Sequence, residues 1–218
     1  MEHPVLIAIR RAAFTPLGWF APGPADHAPE NAKFLILIGN TGPEMFRRFA
    51  RESGVATKLD AWTREAVSGL AADLGATAVY PFDTDPPWPF LSWARRGGAG
   101  HVSPLGLNIH SVYGLWHAYR AALLFPVVFD LTPPSPGSHP CETCVGRPCL
   151  SACPVGAFDG AGYDVQACAK HLAREEGQAC MARGCLARHA CPVGQGFAYA
   201  PAQASYHMRA FLGARQEE

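Results

Sequence analysis

The chain has 218 residues and 49% of them are apolar, so it is long enough to bury one large core or two smaller ones. Its 18 Lys and Arg residues balance its 18 Asp and Glu residues, and this zero net charge gives no sign of a nucleic-acid or anionic-membrane partner. No run reaches the roughly 18 apolar residues that a membrane helix needs. Arg10 and Arg11 follow the first apolar run instead of preceding it as in a secretion signal. We therefore expect a cytoplasmic protein without nucleic acid or membrane as a partner.

The first 130 residues show the patterns of a mixed helix and sheet domain. Apolar residues at helical spacing predict helices at 5–13, from Pro43 onward, at 59–74 and at 88–95. Short apolar runs predict strands at 34–38, 76–82, 105–109 and 113–129, the last with a bend at Pro126. The run 34–38 is apolar without interruption, which is typical of a strand buried on both faces. The predicted fold class is α+β.

The distribution of cysteines divides the chain. All eight lie between positions 141 and 191, and the residues before them contain none. Four prolines between 131 and 140 disfavour both helix and central strand. We therefore predict a sheet domain at 1–130, a proline-rich linker at 131–140, and a cysteine-rich domain at 141–218 with a helix at 202–212.

The cysteines form two related motifs, each of which ends in the sequence Cys-Pro-Val-Gly. The first motif is Cys141-x2-Cys144-x4-Cys149-x3-Cys153-Pro154, and the second is Cys180-x4-Cys185-x5-Cys191-Pro192, with Cys168 twelve residues upstream. The repeated ending favours an internal duplication.

Two cubane [4Fe–4S] clusters account for this pattern, because each cluster needs four thiolates and eight are available. In two-cluster ferredoxins, the cysteine before proline ligates the other cluster. This crossover predicts that cluster 1 is held by Cys141, Cys144, Cys149 and Cys191, and that cluster 2 is held by Cys153, Cys168, Cys180 and Cys185. Two zinc sites of four cysteines each, or a set of disulfides, are the alternatives that the spacing leaves open.

The cysteine-rich segment resembles bacterial dicluster [4Fe–4S] ferredoxin-like proteins. The residues that carry this resemblance are CETCVGRPCLSACPVGAF, which begins at Cys141. The displaced Cys168 in YDVQACAKHL is similar to the arrangement in epoxyqueuosine reductases and reductive dehalogenases. Residues 82–125 resemble the corrinoid-binding region of epoxyqueuosine reductases and of cblC-type cobalamin-processing proteins. The resemblance implies a nitroreductase-like sheet domain followed by a small dicluster ferredoxin-like domain. The lysine of the reductases' G-K-N-T segment is absent, since Pro104-Leu105-Gly106 stands there.

The resemblance, together with the residue types, indicates candidate site residues in residues 82–125. Asp83 matches the reductases' proton donor, with closure of a turn as the alternative. His110 and Tyr113, which flank the turn before the last predicted strand, are the preferred pocket residues, with a hydrogen-bonded structural histidine as the alternative for His110. Trp116 would stack on a flat macrocycle or pack in the core. Arg120 would hold a ligand anion or pair with a carboxylate.

These observations lead to two hypotheses about function. In the first, two [4Fe–4S] clusters relay electrons from a redox partner protein to a corrinoid, such as cobalamin, in the N-terminal domain. Such a protein would be a cobalamin-dependent reductase or a cobalamin-processing reductase. In the second, the chain is a ferredoxin-like electron carrier, whose N-terminal domain docks a partner and holds no second cofactor.

Overall fold

A computed structural model of the chain describes residues 2–53, 58–98, 100–135, 137–160 and 162–215. They form two compact units. The first unit comprises residues 1–100 and 117–137, and the second comprises residues 101–116 and 138–218. Helices and strands are both present, which confirms the α+β class. No helix among the described residues has both the length and the apolar character of a membrane span.

The strands and helices of the described residues have the following bounds. The strands are β1 (Thr15–Phe20), β2 (Phe34–Thr41), β3 (Thr77–Val79), β4 (His101–Val102), β5 (Asn108–Ile109) and β6 (His117–Phe125). The helices are α1 (Pro4–Arg11), α2 (Glu44–Glu52), α3 (Leu59–Leu74), α4 (Phe90–Arg96), α5 (Pro148–Ser151), α6 (Val165–Leu172), α7 (Gln178–Arg183), α8 (Leu186–His189) and α9 (Pro201–Ala214). Short 3-10 turns lie at Pro24–Asp26, Glu175–Gly177 and Gln195–Phe197.

The first unit is built on an antiparallel sheet with the strand order β1-β2-β6-β3. Residues 35–38 of β2 are fully buried, as the apolar run predicted. The edge strand β1 was not predicted, because Pro16 and Gly18 are poor strand formers. An edge strand tolerates both residues, and the pairing with β2 shifts register between them.

Two predicted strands are shorter than their apolar runs. The run at 105–109 forms only β5, and the run at 113–129 forms only β6. A turn interrupts them, since the backbone groups of His110 and Gly114 exchange hydrogen bonds of 2.9 Å. Gly114 has a φ of 57°, which a strand does not allow. Pro126 follows the end of β6 and does not bend it, because proline has no N–H for the ladder. The predicted strand at 76–82 is likewise reduced to β3.

The predicted helices all form, with ends moved by a few residues. Helix α3 has the predicted bounds and ends at Gly75, whose φ of 66° is the left-handed conformation expected of a helix cap. Helix α2 begins one residue after Pro43, and α9 covers the predicted helix at 202–212.

The second unit has a core made largely of its cysteines. Leu105, Ile109 and Leu115 lie in one buried cluster with Cys149 and Cys191. Residues 101–116 therefore belong with the cysteine-rich segment and not with the sheet, where the sequence analysis had placed them. The sequence predicted a division at residue 130. The units differ from that prediction because the packing of distant segments against each other, which the sequence does not show, decides where a unit ends.

Candidate metal centre

The first set of thiols consists of Cys141, Cys144, Cys149 and Cys191. The pKa of Cys141 is raised by burial and then by the charges of the other three thiolates. Burial also raises the pKa of Cys149, with further contributions from Cys191 and Cys144. The pKa of Cys191 is raised by burial and by Cys144. All four cysteines line one small cavity, so they lie together, although Cys191 is 42 residues from Cys149 in the sequence.

The second set of thiols consists of Cys153, Cys168, Cys180 and Cys185. The pKa of Cys180 is raised by burial and then by Cys168 and Cys153. Burial raises the pKa of Cys185, with smaller contributions from Cys168 and Cys180. The pKa of Cys168 is raised by burial and by Cys153. Each of these couplings links two cysteines of the same set. The two cysteines that precede proline are therefore exchanged between the motifs, as they are in two-cluster ferredoxins.

Backbone conformation shapes the first set. Gly146 and Arg147 both have positive φ angles, 73° and 41°, and they turn the chain between Cys144 and Cys149. The short helix α5 then buries Cys149. Cys191 follows α8 and reaches the same core.

A second turn brings Cys168 to Cys153. Phe158 and Tyr163 form an isolated β-bridge, and their rings stack with centroids 4.6 Å apart. Helix α6 starts directly after this bridge, and the carboxylate of Asp164 accepts a hydrogen bond of 2.8 Å from the amide of Ala167. This N-cap sets the direction of the helix that carries Cys168.

Backbone amides point at sulfur atoms in both sets. The amide of Ala157 donates to Cys153 Sγ at 3.3 Å. Cys185 is the N-cap of α8, and the backbone of Ala187 and Arg188 in that helix acts against the rise of its pKa. In the first set, Cys149 and Cys191 also accept backbone hydrogen bonds. Such donors favour the thiolate, which is the form that binds metal.

Two side chains also contact the second set, and the sequence analysis had not identified them. The hydroxyl of Tyr163 hydrogen-bonds to Cys168. His171 Nε2 lies 4.0 Å from Cys180 Sγ, within reach of a hydrogen bond to sulfur. Tyr163 lies five residues before Cys168 and His171 three residues after it, but neither residue type at such a spacing is by itself a signal.

The cysteine thiols could hold either a single metal ion or a cubane cluster, and their arrangement bears on both. In the part of the chain that the structure describes, no three or more His, Cys, Asp or Glu side chains are grouped closely enough to hold a single metal ion. Two sets of four thiols, with six of the eight in or against one apolar cluster, fit the donor number and the thiolate chemistry of cubane clusters. The ligand roles of the eight cysteines stay a prediction, and zinc stays the alternative.

Three of the predicted pocket residues lie together in the second unit. His110 Nδ1 accepts hydrogen bonds from the amides of Val112 and Tyr113, at 2.9 and 3.3 Å. Its ring lies 4.5 Å from the Tyr113 ring. Burial, and to a smaller extent His101, lowers the pKa of His110 to about 4, so the imidazole is neutral at neutral pH. These contacts match the role of a turn-forming histidine.

Trp116 is 1% exposed and packs in the core, which was one of its two predicted roles. The guanidinium of Arg188 lies 4.6 Å from the Trp116 ring and 4.5 Å from the Tyr199 ring. Arg188 Nε also donates a hydrogen bond of 2.9 Å to the carbonyl of Leu115. This arrangement leaves little of the Trp116 surface for stacking on a ligand.

Arg120 and Asp83 belong to the first unit. Arg120 donates to Asp60 Oδ1 at 3.2 Å and to Asn40 Oδ1 at 3.3 Å, which is the carboxylate pairing that was one of its predicted roles. The carboxylate of Asp83 accepts hydrogen bonds from Arg64 at 2.6 Å and from the amide of Tyr80 at 2.8 Å. Asp83 therefore closes a turn, and its catalytic role stays a prediction.

Comparison with known proteins identifies solved structures with a similar fold. No protein-family model matches the sequence, and no curated protein matches it. Among solved structures, the epoxyqueuosine reductase from Streptococcus thermophilus is similar, with a TM-score of 0.53 and 15% identity over 92% of this chain and 69% of that one. An epoxyqueuosine reductase solved with an epoxyqueuosine-modified tRNA-Tyr stem loop gives a TM-score of 0.50 and 17% identity over 89% of this chain and 66% of that one. The Caenorhabditis elegans B12-trafficking protein CblC gives a TM-score of 0.53 and 13% identity over 96% and 94% of the two chains. At this identity the likeness is one of fold, and the chain shares the α+β fold of these proteins.

Proposed function

We propose that the chain is an iron–sulfur redox protein that holds one [4Fe–4S] cluster in each set of four cysteines. The observation that carries the proposal is the exchange of the two Cys-Pro cysteines, since Cys191 lies with the first motif and Cys153 with the second. A cubane cluster, when bound, supplies one-electron transfer. The chain's own contribution is to bury the thiols, to direct backbone amides at their sulfurs, and to cover them with apolar residues such as Leu115.

The proposed electron acceptor is a corrinoid bound by the N-terminal residues. Two observations support it: the likeness of the fold to a B12-trafficking protein and to epoxyqueuosine reductases, and the resemblance of residues 82–125 to a corrinoid-binding region. The electron donor would be a separate redox protein, and the chain would act as a corrinoid-dependent or corrinoid-processing reductase.

A second candidate function is that of an electron carrier with a partner-docking N-terminal domain and no corrinoid. The contacts of the predicted ligand-binding residues favour it. Arg120 is paired with Asp60, and Trp116 is buried in a core. Neither side chain offers its polar or aromatic surface to a ligand in this conformation.

One experiment separates these functions. The protein is purified without oxygen, its iron, zinc and acid-labile sulfide are measured, and cobalamin is then titrated into the same sample. We expect about eight iron and eight sulfide atoms per chain, as two four-iron clusters require, and a change in the cobalamin absorption spectrum. The same iron content without a spectral change would support the carrier. Stoichiometric zinc without sulfide would contradict both redox functions.

A further inference from the structure

Ser103 lies on the wall of the cavity that the first set of thiols shares. Besides those four thiols, the wall consists of apolar residues and two polar side chains, Ser103 and Arg147. Ser103 is 5% exposed, and its hydroxyl has no hydrogen-bond partner among the described residues. Folded proteins rarely leave a buried hydroxyl unpaired, because its lost contact with water is not replaced. The hydroxyl therefore needs an acceptor that the chain itself does not supply.

The backbone of Ser103 is held in a tight turn. Its amide donates to the carbonyl of Leu107, and its carbonyl accepts from the amide of Gly106, both at 2.9 Å. Strands β4 and β5 pair with each other on either side of this turn. These bonds satisfy both backbone groups of Ser103, so only its side chain is left to bind something else.

A histidine joins this turn to the first set of thiols. His139 Nδ1 accepts a hydrogen bond of 3.2 Å from the amide of Cys141, so Nε2 carries the hydrogen and donates to the carbonyl of Val102 at 3.1 Å. The ring of His101 stacks on His139 with centroids 4.6 Å apart. Because Val102 directly precedes Ser103, this histidine holds the serine beside the first thiol of the set.

Bulk water does not satisfy the hydroxyl. A second pocket, of about 320 Å³, shares Ser103, Cys141 and Arg147 with the cavity of the thiols. The side chain of Arg147 is exposed, but the hydroxyl oxygen of Ser103 is shielded from solvent. An acceptor inside the cavity of the thiols would satisfy it. Sulfur atoms are the acceptors that a cluster brings there.

We propose that the hydroxyl of Ser103 donates a hydrogen bond to a sulfur of the cluster held by Cys141, Cys144, Cys149 and Cys191, and that this bond raises the reduction potential of that cluster. Reduction adds one negative charge to the cluster, and a donor at sulfur stabilises the reduced form more than the oxidised form. The electron comes from dithionite or a redox protein, which is oxidised, and Ser103 keeps its proton. This inference rests on the proposed function.

The test is a redox titration of the full-length protein, followed by electron paramagnetic resonance, for the parent and Ser103→Ala. Alanine removes the hydroxyl and keeps the Cβ. We expect the midpoint potential of one cluster to fall, so that the ratio of reduced to oxidised cluster at a given potential drops about tenfold, equivalent to about 59 mV. The cluster that changes should be the one missing from Cys191→Ala. Ser103→Thr keeps the hydroxyl and should stay close to the parent.

A second measurement detects the hydrogen bond itself. Electron–nuclear double resonance of the reduced protein, recorded in H₂O and in D₂O, identifies exchangeable hydrogens close to a cluster. The parent should show one such hydrogen that is absent from Ser103→Ala and present in Ser103→Thr. An identical set of exchangeable hydrogens in the parent and in Ser103→Ala would contradict the proposal.

Ser151→Ala is the matched control. Ser151 lies two residues after Cys149, but it is exposed and its hydroxyl donates to the carbonyl of Pro148 at 3.2 Å. Its loss should leave both midpoint potentials unchanged.

The outcomes separate this inference from the proposed function. If Ser103→Ala changes neither potential, or changes that of the cluster that Cys191→Ala retains, while iron and sulfide match the parent, the inference is wrong and the proposed function stands. Loss of iron from Ser103→Ala would also contradict the inference, because four thiolates hold a cluster without this hydrogen bond. If the parent contains no iron and sulfide, both are wrong.

Discussion

At the scale of single residues, the two cysteines that precede proline decide how the eight thiols divide into two sets. Cys153 and Cys191 are each followed by Pro-Val-Gly, and each lies with the thiols of the other motif. If only one of the two stayed with its own loop, one set would hold five thiols and the other three. With the crossover, each proposed cluster would depend on both motifs.

The crossover predicts unequal damage from two otherwise equivalent substitutions. Cys191→Ala should remove the cluster of Cys141, Cys144 and Cys149 and leave the other cluster largely intact, because only the first set loses a ligand. Cys153→Ala should do the reverse. Iron content should fall by about half in each variant, and the paramagnetic resonance signals that remain should differ between them.

The two variants control for each other, since each removes a thiol that precedes Pro-Val-Gly. If Cys191→Ala removes the signal that Cys153→Ala leaves intact, the assignment is supported. Loss of the Cys168 cluster in Cys191→Ala would contradict it.

At the scale of elements, the two Cys-Pro-Val-Gly turns differ in what surrounds them. A Cβ on Gly194 would lie 2.3 Å from the backbone carbon of Tyr113, and one on Gly114 would lie 2.0 Å from the carbonyl oxygen of Val193. These two segments pack backbone to backbone, which holds the turn after His110 against the segment that carries Cys191. Gly156, in the first Cys-Pro-Val-Gly turn, has nothing within 4 Å of its Cβ position.

This difference predicts the effect of adding one methyl group. Gly194→Ala should destabilise the second unit by roughly 3 kcal/mol, because a positive φ and a backbone clash both oppose it. Gly156→Ala should cost only ~1–2 kcal/mol, since its φ of 58° is the single obstacle. Urea denaturation of both variants, with iron content measured alongside, checks the prediction. If both variants lose the same free energy of unfolding, the close contact between Gly194 and Tyr113 is absent.

At the scale of the whole molecule, the two units depend on different sources of stability. The first unit has a four-stranded sheet in which β2 is buried along its length except at Thr41. Among its described residues, the second unit has one pair of two-residue strands, and six of its eight cysteines belong to or touch its main core. Under the proposed function, metal ligation would replace much of the apolar burial that a unit of this size needs.

Removal of iron should accordingly unfold one unit and spare the other. After oxidative treatment with a chelator, amide hydrogens in α6, α7 and α8 should exchange rapidly, while those in β2 and β6 keep their protection. Hydrogen exchange followed by mass spectrometry, with untreated protein as the control, measures this. Equal protection of α6 and α7 before and after treatment would contradict a structural role for the metal.

Several features were decided by the sequence alone. Cysteine spacing and the two prolines predict how the thiols divide into two sets, because in two-cluster ferredoxins the cysteine before proline ligates the other cluster. Helix α3 is predicted to the residue, since its apolar period and Gly75 are both local signals. The burial of β2 also follows from an uninterrupted apolar run.

Other features were decided only by the tertiary structure. The strand β1 forms despite Pro16 and Gly18 because it lies at a sheet edge, where a missing donor and a register shift are tolerated. Residues 101–116 join the cysteine core because Leu105 and Leu115 find their apolar contacts there, among residues that lie far along the chain. The contacts of Tyr163 and His171 with sulfur, like the pairing of Arg120 with Asp60, depend on distances between elements, and no local pattern of residues encodes those distances.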